Sequence, residues 1–209
     1  MTKIVVIGTG GHARSCLDVM LTAGLDVLGA VGDPVSGADG GRLQIPVLGG
    51  DEILPALLRQ GHRTAFVAVG ANRVRARITA QMQAQGWEFA TVIAPSAHVA
   101  ATSTVGPGSI VISGAVVGPY STIGAGVIIN TMASVDHDCV LGDFAHVAPG
   151  THLAGTVSVG TGAFLGVGVS VIPGSTIGSW ATVGAGGTVI GDVEDESTVV
   201  GVPARSKER

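Results

Sequence analysis

Aromatic side chains are almost missing from this 209-residue chain: Phe, Tyr and Trp together make up 3% of it. A core built around large rings is therefore excluded, and the interior has to be filled by aliphatic residues, which dominate the 46% hydrophobic content. Only two cysteines occur, Cys16 and Cys139, far apart in sequence. That excludes a disulfide framework and gives no metal-ligand spacing, so no metal is expected. Charge is scarce as well, at 12% of residues with a formal net charge of -4, and no Lys/Arg cluster stands out. A nucleic-acid-binding surface is not expected on such a chain. The mean hydropathy of +0.53 raises the question of a membrane protein. However, Gly, Ser, Thr, Asp or His breaks every apolar run well short of the ~20 residues that span a bilayer. The opening run Lys3 to Ile7 stops at a glycine turn and reads as a first strand rather than a secretion signal. A cytoplasmic location with no membrane partner is the expectation.

What the chain has in quantity is glycine, 34 residues, and a fixed period. From Val99 to Val189 an aliphatic residue occupies every sixth position without a miss, which makes sixteen consecutive hexads. The next position is very often Gly, as at Gly106, Gly118, Gly124 and Gly142. Neither the 3.6-residue period of a helix nor the two-residue period of a strand places apolar residues in this way. Each hexad is therefore one short strand and one turn with its aliphatic residue pointing inward, and the repeat as a whole is a solenoid.

Residues 1–92 follow a different grammar. The β-branched run ending at Ile7 is followed by Gly8-Thr9-Gly10-Gly11-His12 and then by apolar residues at helical spacing, Ala13, Cys16, Leu17, Met20 and Leu21. A second strand, Asp26 to Val31, ends at Gly32-Asp33-Pro34; a third, Thr64 to Val69, ends at Gly70; helices are expected from Asp51 to about Gln60 and from Ala71 to Gln85. This predicts a small α/β domain with a mostly parallel sheet, joined near Ala94-Pro95 to a solenoid over 93–209. Gly8-x-Gly10-x-x-Ala13 formally matches a dinucleotide fingerprint, with Asp33 as the ribose-binding acid. About 90 residues suffice for one mononucleotide half rather than two. The turn then binds the nucleotide of a nucleotide sugar, a dinucleotide, or nothing.

The repeat resembles that of the hexapeptide-repeat acyltransferases. The resemblance implies a left-handed parallel β-helix with three hexads per coil, residues eighteen apart stacked on one face, and trimers that bind acetyl-CoA between neighbouring rods. Gly10-Gly11-His12-Ala13, Ala68-Val69-Gly70-Ala71-Asn72, the stretch from Ile129 to Cys139 and Gly201-Val202-Pro203-Ala204-Arg205 narrow it further. Together they resemble the bacterial sugar acetyltransferases of the bacillosamine, perosamine and sialic acid O-acetylation type, over essentially the whole chain. That subfamily implies a Rossmann-like N-terminal domain binding a nucleotide amino sugar, with Gly10, Gly11, His12, Asp33 and Gly70 near the substrate. It implies His137 as general base, supported by Asp138, since members carry Glu or Asp directly after the histidine. Asn130 is expected to orient His137 or the sugar. Acetyl-CoA is expected along a groove touching His146, the backbone at Gly155, Val167 and Ala185, and Arg205. A homotrimer is the expected assembly.

The chemistry gives His137 independent support. An amine attacking a thioester must shed a proton, and an imidazole with an ordinary pKa near ~6.5 is suited to take it. A carboxylate alongside fixes the tautomer and raises the basicity; Asp136 and Asp138 both flank the ring. The plainer reading is a solvated polar turn. Sugar O-acetylation by the same histidine, and a non-catalytic trimeric scaffold or nucleotide-sugar sensor, are the rival functions.

Overall fold

The computed structural model describes residues 3–33 and 45–207; Pro34, expected to close the turn after the second strand, lies outside them. In the N-terminal domain the strands are β1 (Ile4–Ile7), β2 (Val27–Val31), β3 (Val47–Gly49), β4 (Thr64–Val67) and β5 (Glu88–Phe89). The helices are α1 (Gly11–Thr22), α2 (Leu54–Arg59) and α3 (Asn72–Ala84). All five strands are parallel, in the order β3-β2-β1-β4-β5. β1 is Ile-Val-Val-Ile and buried throughout, because a central parallel strand is covered on both faces. Ile4 and Val6 meet Ala13, Leu17 and Met20 of α1, while Val5 and Ile7 meet Leu54, Leu57 and Met82 from α2 and α3. The sheet extends to both sides of β1, so it is larger than the single half expected from its length. Strand order reverses between β1 and β4, the crevice where such sheets bind ligands.

From Val92–Ile93 onward, two-residue strands recur and fall into three parallel sheets. Each strand pairs with the strand eighteen residues on. Ile128–Ile129 pairs with His146–Val147, Ser134–Val135 with His152–Leu153, and Val140–Leu141 with Ser158–Val159. These three pairs lie on what we call the first, second and third faces of a triangular rod. Val111, Val117, Ile123, Ile129, Val135 and their successors fill its interior. Each such burial contributes about 1.5–3 kcal/mol.

Glycine plays two roles in this rod. Directly after the inward aliphatic residue, the backbone of the next coil lies too close for a side chain: a Cβ at Gly118 would sit 2.8 Å from the Asp136 carbonyl carbon. Two residues later the chain turns through the left-handed region, at Gly114 with φ 71° and Gly126 with φ 63°. Met132, Asp138, Phe144 and Trp180 hold the same conformation without being glycine. After Val189 the period breaks. Ile177 bridges Val193 and Thr182 pairs with Thr198, sixteen residues apart instead of eighteen, so the last coil is two residues shorter. Arg205–Ser206 then folds back antiparallel on Thr198–Val200.

The N-terminal domain sits on the first face, where Ile110, Ile112 and Ile128 are buried in one cluster with Ala13 and Leu17 of α1. Arg75, near the start of α3, is 1% exposed and fastens the two parts. Its guanidinium donates to the Gly126 and Phe144 carbonyls of the rod and to the Val69 and Gly70 carbonyls and Asn72 Oδ1 of its own domain, at 2.8–3.1 Å. Asn72 Nδ2 donates to the Gly162 and Ala163 carbonyls. A buried cation is tolerated because every donor direction meets an oxygen.

Candidate active site

His137 lies in the turn between the second and third faces. The left-handed turn at Asp138, φ 56°, brings its carboxylate back onto the preceding side chain, and Oδ2 meets His137 Nδ1 at 2.8 Å. Asp136 serves the backbone instead, its Oδ1 accepting the His137 N–H at 2.8 Å. The two flanking acids are thereby distinguished, and Asp138 is the ring partner. Its hydrogen bond, helped by the negative charge of Asp136 and Asp138, raises the His137 pKa above the ordinary imidazole value. With Nδ1 engaged, Nε2 is the nitrogen left to take a proton. The ring lies over Gly155, one coil on, where a Cβ would overlap Cε1 and Nε2. Among the described residues the Gly155 N–H has no protein acceptor.

A second site opens where the two domains meet. Its cavity of about 540 Å³ is lined by His12, Gly70 and Arg73 of the N-terminal domain and by His146, Phe164 and Trp180 of the rod. The His12 and His146 rings stand 6.3 Å apart, and Phe164 meets His146 edge-on at 5.2 Å. Burial and the Arg75 cation lower the pKa of His12 to about 4; burial first, then Arg75 and His12, lower that of His146 to about 3. Both rings are neutral in ordinary buffers. Cys16 Sγ lies 3.4 Å from His12 Nε2, and burial pushes its thiol pKa to about 12. Arg73 covers the Trp180 ring at 4.4 Å and pairs with Glu196 at 3.5 Å.

A third hollow, about 280 Å³, lies at the carboxyl ends of β1 and β2 and is bordered by Gly8, Gly32, Asp33, Asp51 and Glu52. Thr9 Oγ1 donates to the Asp33 carbonyl at 2.7 Å. At the nearby start of α1, Gly10 has an ordinary φ of -78° and a Cβ there would meet nothing within 4 Å. A Cβ at Gly11 would meet only Arg14 Nη2, at 3.7 Å. Neither backbone conformation nor packing demands glycine at these two positions.

The expected residues thus separate into groups. His137, Asp138 and Gly155 share one corner, while His12, Gly70 and His146 share the interdomain cavity. Val167 and Ala185 stack, exposed, at the corner between the first and second faces, and neither lines the interdomain cavity. Arg205 borders a small hollow of about 260 Å³ beside the shortened coil. Asn130 does not reach His137; its Nδ2 lies 3.2 Å from His146 Nε2, because it leaves the first face next to that histidine's strand. Sequence reasoning missed Arg75, Phe164 and Trp180. The two aromatics had a signal, since rings are rare in a hexad rod, but a buried Arg three residues past Asn72 had none. Among the described residues no cluster of His, Cys, Asp or Glu is arranged to hold a metal, and no helix is long and apolar enough to cross a membrane.

Comparison with known proteins agrees with this geometry. Residues 3–82 match the PglD N-terminal domain family. No curated protein sequence matches. Among solved structures, a histidine-to-asparagine variant of perosamine N-acetyltransferase from Caulobacter crescentus, in complex with CoA and GDP-perosamine, is 42% identical with a TM-score of 0.94. That match covers 100% of this chain and 98% of the other. The acetyltransferase domain of PglB from Neisseria gonorrhoeae FA1090, in complex with acetyl coenzyme A, is 36% identical with a TM-score of 0.91, covering 98% of each chain. WeeI from Acinetobacter baumannii AYE is 25% identical with a TM-score of 0.85, covering 99% of this chain and 100% of its own. Similarity of this extent across both the sheet domain and the rod means that the chain belongs to the bacillosamine/perosamine N-acetyltransferase family.

Proposed function

We propose that the chain transfers the acetyl group of acetyl-CoA to the amine of a nucleotide-linked 4-amino-4,6-dideoxy sugar, with His137 as general base. The observation that carries this is the 2.8 Å contact between His137 Nδ1 and Asp138, which leaves Nε2 free above the bare backbone of Gly155. His137 Nε2 takes the proton shed as the amine nitrogen bonds to the thioester carbon, and returns it to sulfur as the C–S bond breaks. The unpaired Gly155 N–H is suited to the oxygen that becomes negative in between. Asp138 keeps the ring in the productive tautomer and stabilises the imidazolium.

The nucleotide half of the substrate belongs to the N-terminal domain, with Asp33 toward the nucleoside and Gly10, Gly11 and His12 toward the diphosphate and sugar. GDP-perosamine, held by the Caulobacter relative, is the first substrate to test. Release of free CoA thiol with an amino-sugar nucleotide, and none with its 4-hydroxy counterpart, is the expected result. Equal turnover of the hydroxy compound would make the chain an O-acetyltransferase. Two buried free thiols, Cys16 and Cys139, suit a reducing cytoplasm.

The assembly reading follows from the triangular section. The N-terminal domain and its cavity occupy the first face, whereas His137 is at the one corner that does not border that face. One chain does not unite its own base with its own cavity, so a homotrimer is proposed in which His137 of one copy serves the substrate domain of the next. Mixing a His137→Ala protein with a Gly11→Val protein, each inactive alone, should restore part of the activity on subunit exchange. Exchange without any recovery would place the whole site within one chain.

A further inference from the structure

Arg75 is a buried cation without a counter-ion. A guanidinium has five N–H donors, and all five are used, on the Gly126, Val69, Gly70 and Phe144 carbonyls and on Asn72 Oδ1. Every one of these acceptors is a neutral oxygen, and among the described residues no carboxylate pairs with Arg75. The hydrogen bonds satisfy its donors but leave its charge in place, on a side chain that solvent screens little. Gly70 and Asn72 also line the interdomain cavity, so the guanidinium lies one hydrogen bond behind the cavity wall. The charge facing the cavity has the same sign. His12 from α1, Arg73 from α3 and His146 from the first face line it, and no carboxylate does. Glu196 meets Arg73 only at the rim, through side chains that are both largely exposed, and the Trp180 face that could attract a cation is taken by Arg73. Burial first, then Arg75, lower the pKa values of His12 and His146, so two groups already in this cavity resist a positive charge. In the proposed trimer His137 of the next copy arrives with Nε2 foremost and its Asp138 on the far side of the ring.

We propose that Arg75 acts on the substrate through this wall: its uncompensated charge makes the cavity take the amino sugar as the neutral amine and reject the ammonium ion. The inference rests on the acetyl-transfer reading above. A sugar amine between two oxygen-bearing carbons resembles an α-amino group, with a pKa near ~8, so at neutral pH most of the free substrate is ammonium and has no lone pair for attack. On binding beside Arg75 it leaves that proton in the solvent, because a like charge nearby disfavours the charged form. The lone pair then forms the N–C bond to the thioester carbon, and the proton that His137 Nε2 takes is the one shed as this bond forms. Two deprotonations are thus divided between two residues. Arg75 favours the first from behind the wall, and His137 carries out the second.

The test compares, by calorimetry at pH 6.5 and 7.5, the affinity of a nucleotide amino sugar with that of its 4-hydroxy counterpart. GDP-perosamine is the first probe, or whichever amino sugar gives turnover in its place. The His137→Ala protein is used, so that the base cannot hold the proton itself. With an amine pKa near ~8 the neutral fraction grows about eightfold over this interval, and the affinity ratio of amino to hydroxy compound should rise by the same factor. Arg75→Met removes the charge and should cut the rise to less than about threefold. Arg75→Lys keeps the charge with too few donors, so both ligands should bind more weakly while the rise is retained. A ratio that stays level or falls with pH while Arg75 is present overturns the proposal, and this comparison needs no Arg75 variant to fold. A Met variant with the full rise overturns it too, since Arg75 would then only fasten the domains. Absence of turnover with every nucleotide amino sugar would instead remove the acetyl-transfer reading, and this inference with it.

Discussion

Asp138 illustrates how much a single backbone angle does at the residue scale. A left-handed non-glycine residue costs on the order of 1 kcal/mol, and here the same angle turns the carboxylate onto the neighbouring ring. His137→Ala should lower kcat by about 10²- to 10⁴-fold with acetyl-CoA affinity nearly unchanged, as measured by steady-state kinetics and calorimetry. The pH profile gives a second readout. A base with a raised pKa is lost to protonation at higher pH, so the acid limb of kcat/KM should lie above the ordinary imidazole value. Asp138→Asn should move that limb to lower pH and reduce kcat, while Asp136→Asn should do much less. Gly155→Ala should damage catalysis through displacement of the ring, with little change in melting temperature. The His-Asp pair was legible in the sequence, since charge is conspicuous in an apolar repeat. Asp138 as the ring's partner was legible only through the resemblance, because spacing alone leaves both flanking acids open and the turn angle decides between them.

The hexad was fully legible at the element scale, because inward aliphatic residues advertise a period of six. The division of labour among glycines was not, since tight stacking and left-handed turns leave the same letter in the sequence. Gly118→Ala tests the stacking role: its Cβ would press on Asp136 and His137 of the next coil, so a loss of about 1–3 kcal/mol is expected by denaturant titration. Strand β3 also went unread, being only three half-buried residues without alternation. The domain consequently looked like a single nucleotide-binding half, when two further strands flank it.

For the whole molecule, the seat of one domain on the other could not be read from sequence, because Ile110 and Ile128 are unremarkable until α1 covers them, and Arg75 until α3 brings it onto the rod. The interdomain cavity predicts an acid sensitivity. His12 and His146 resist protonation in the folded chain, with pKa values of about 4 and about 3, but the unfolded chain protonates them near ~6.5. Below that pH the unfolded state binds more protons, so stability is full above about 6.5 and declines as pH falls toward 4 and then 3. Thermal melts between pH 7 and 4.5 should show this decline, and a His12→Gln, His146→Gln double variant should flatten it.

The shortened last coil has a consequence for solubility. A β-helical rod ends in rows of unpaired peptide groups, an open template on which another rod can stack end to end. An eighteen-residue coil cannot register on a sixteen-residue one around all three faces, and Arg205–Ser206 already occupies the edge of Thr198–Val200. The rod is thus terminated by a deliberate mismatch, and restoring two residues near Gly191 while deleting the returning strand should turn a discrete particle into filaments visible by electron microscopy.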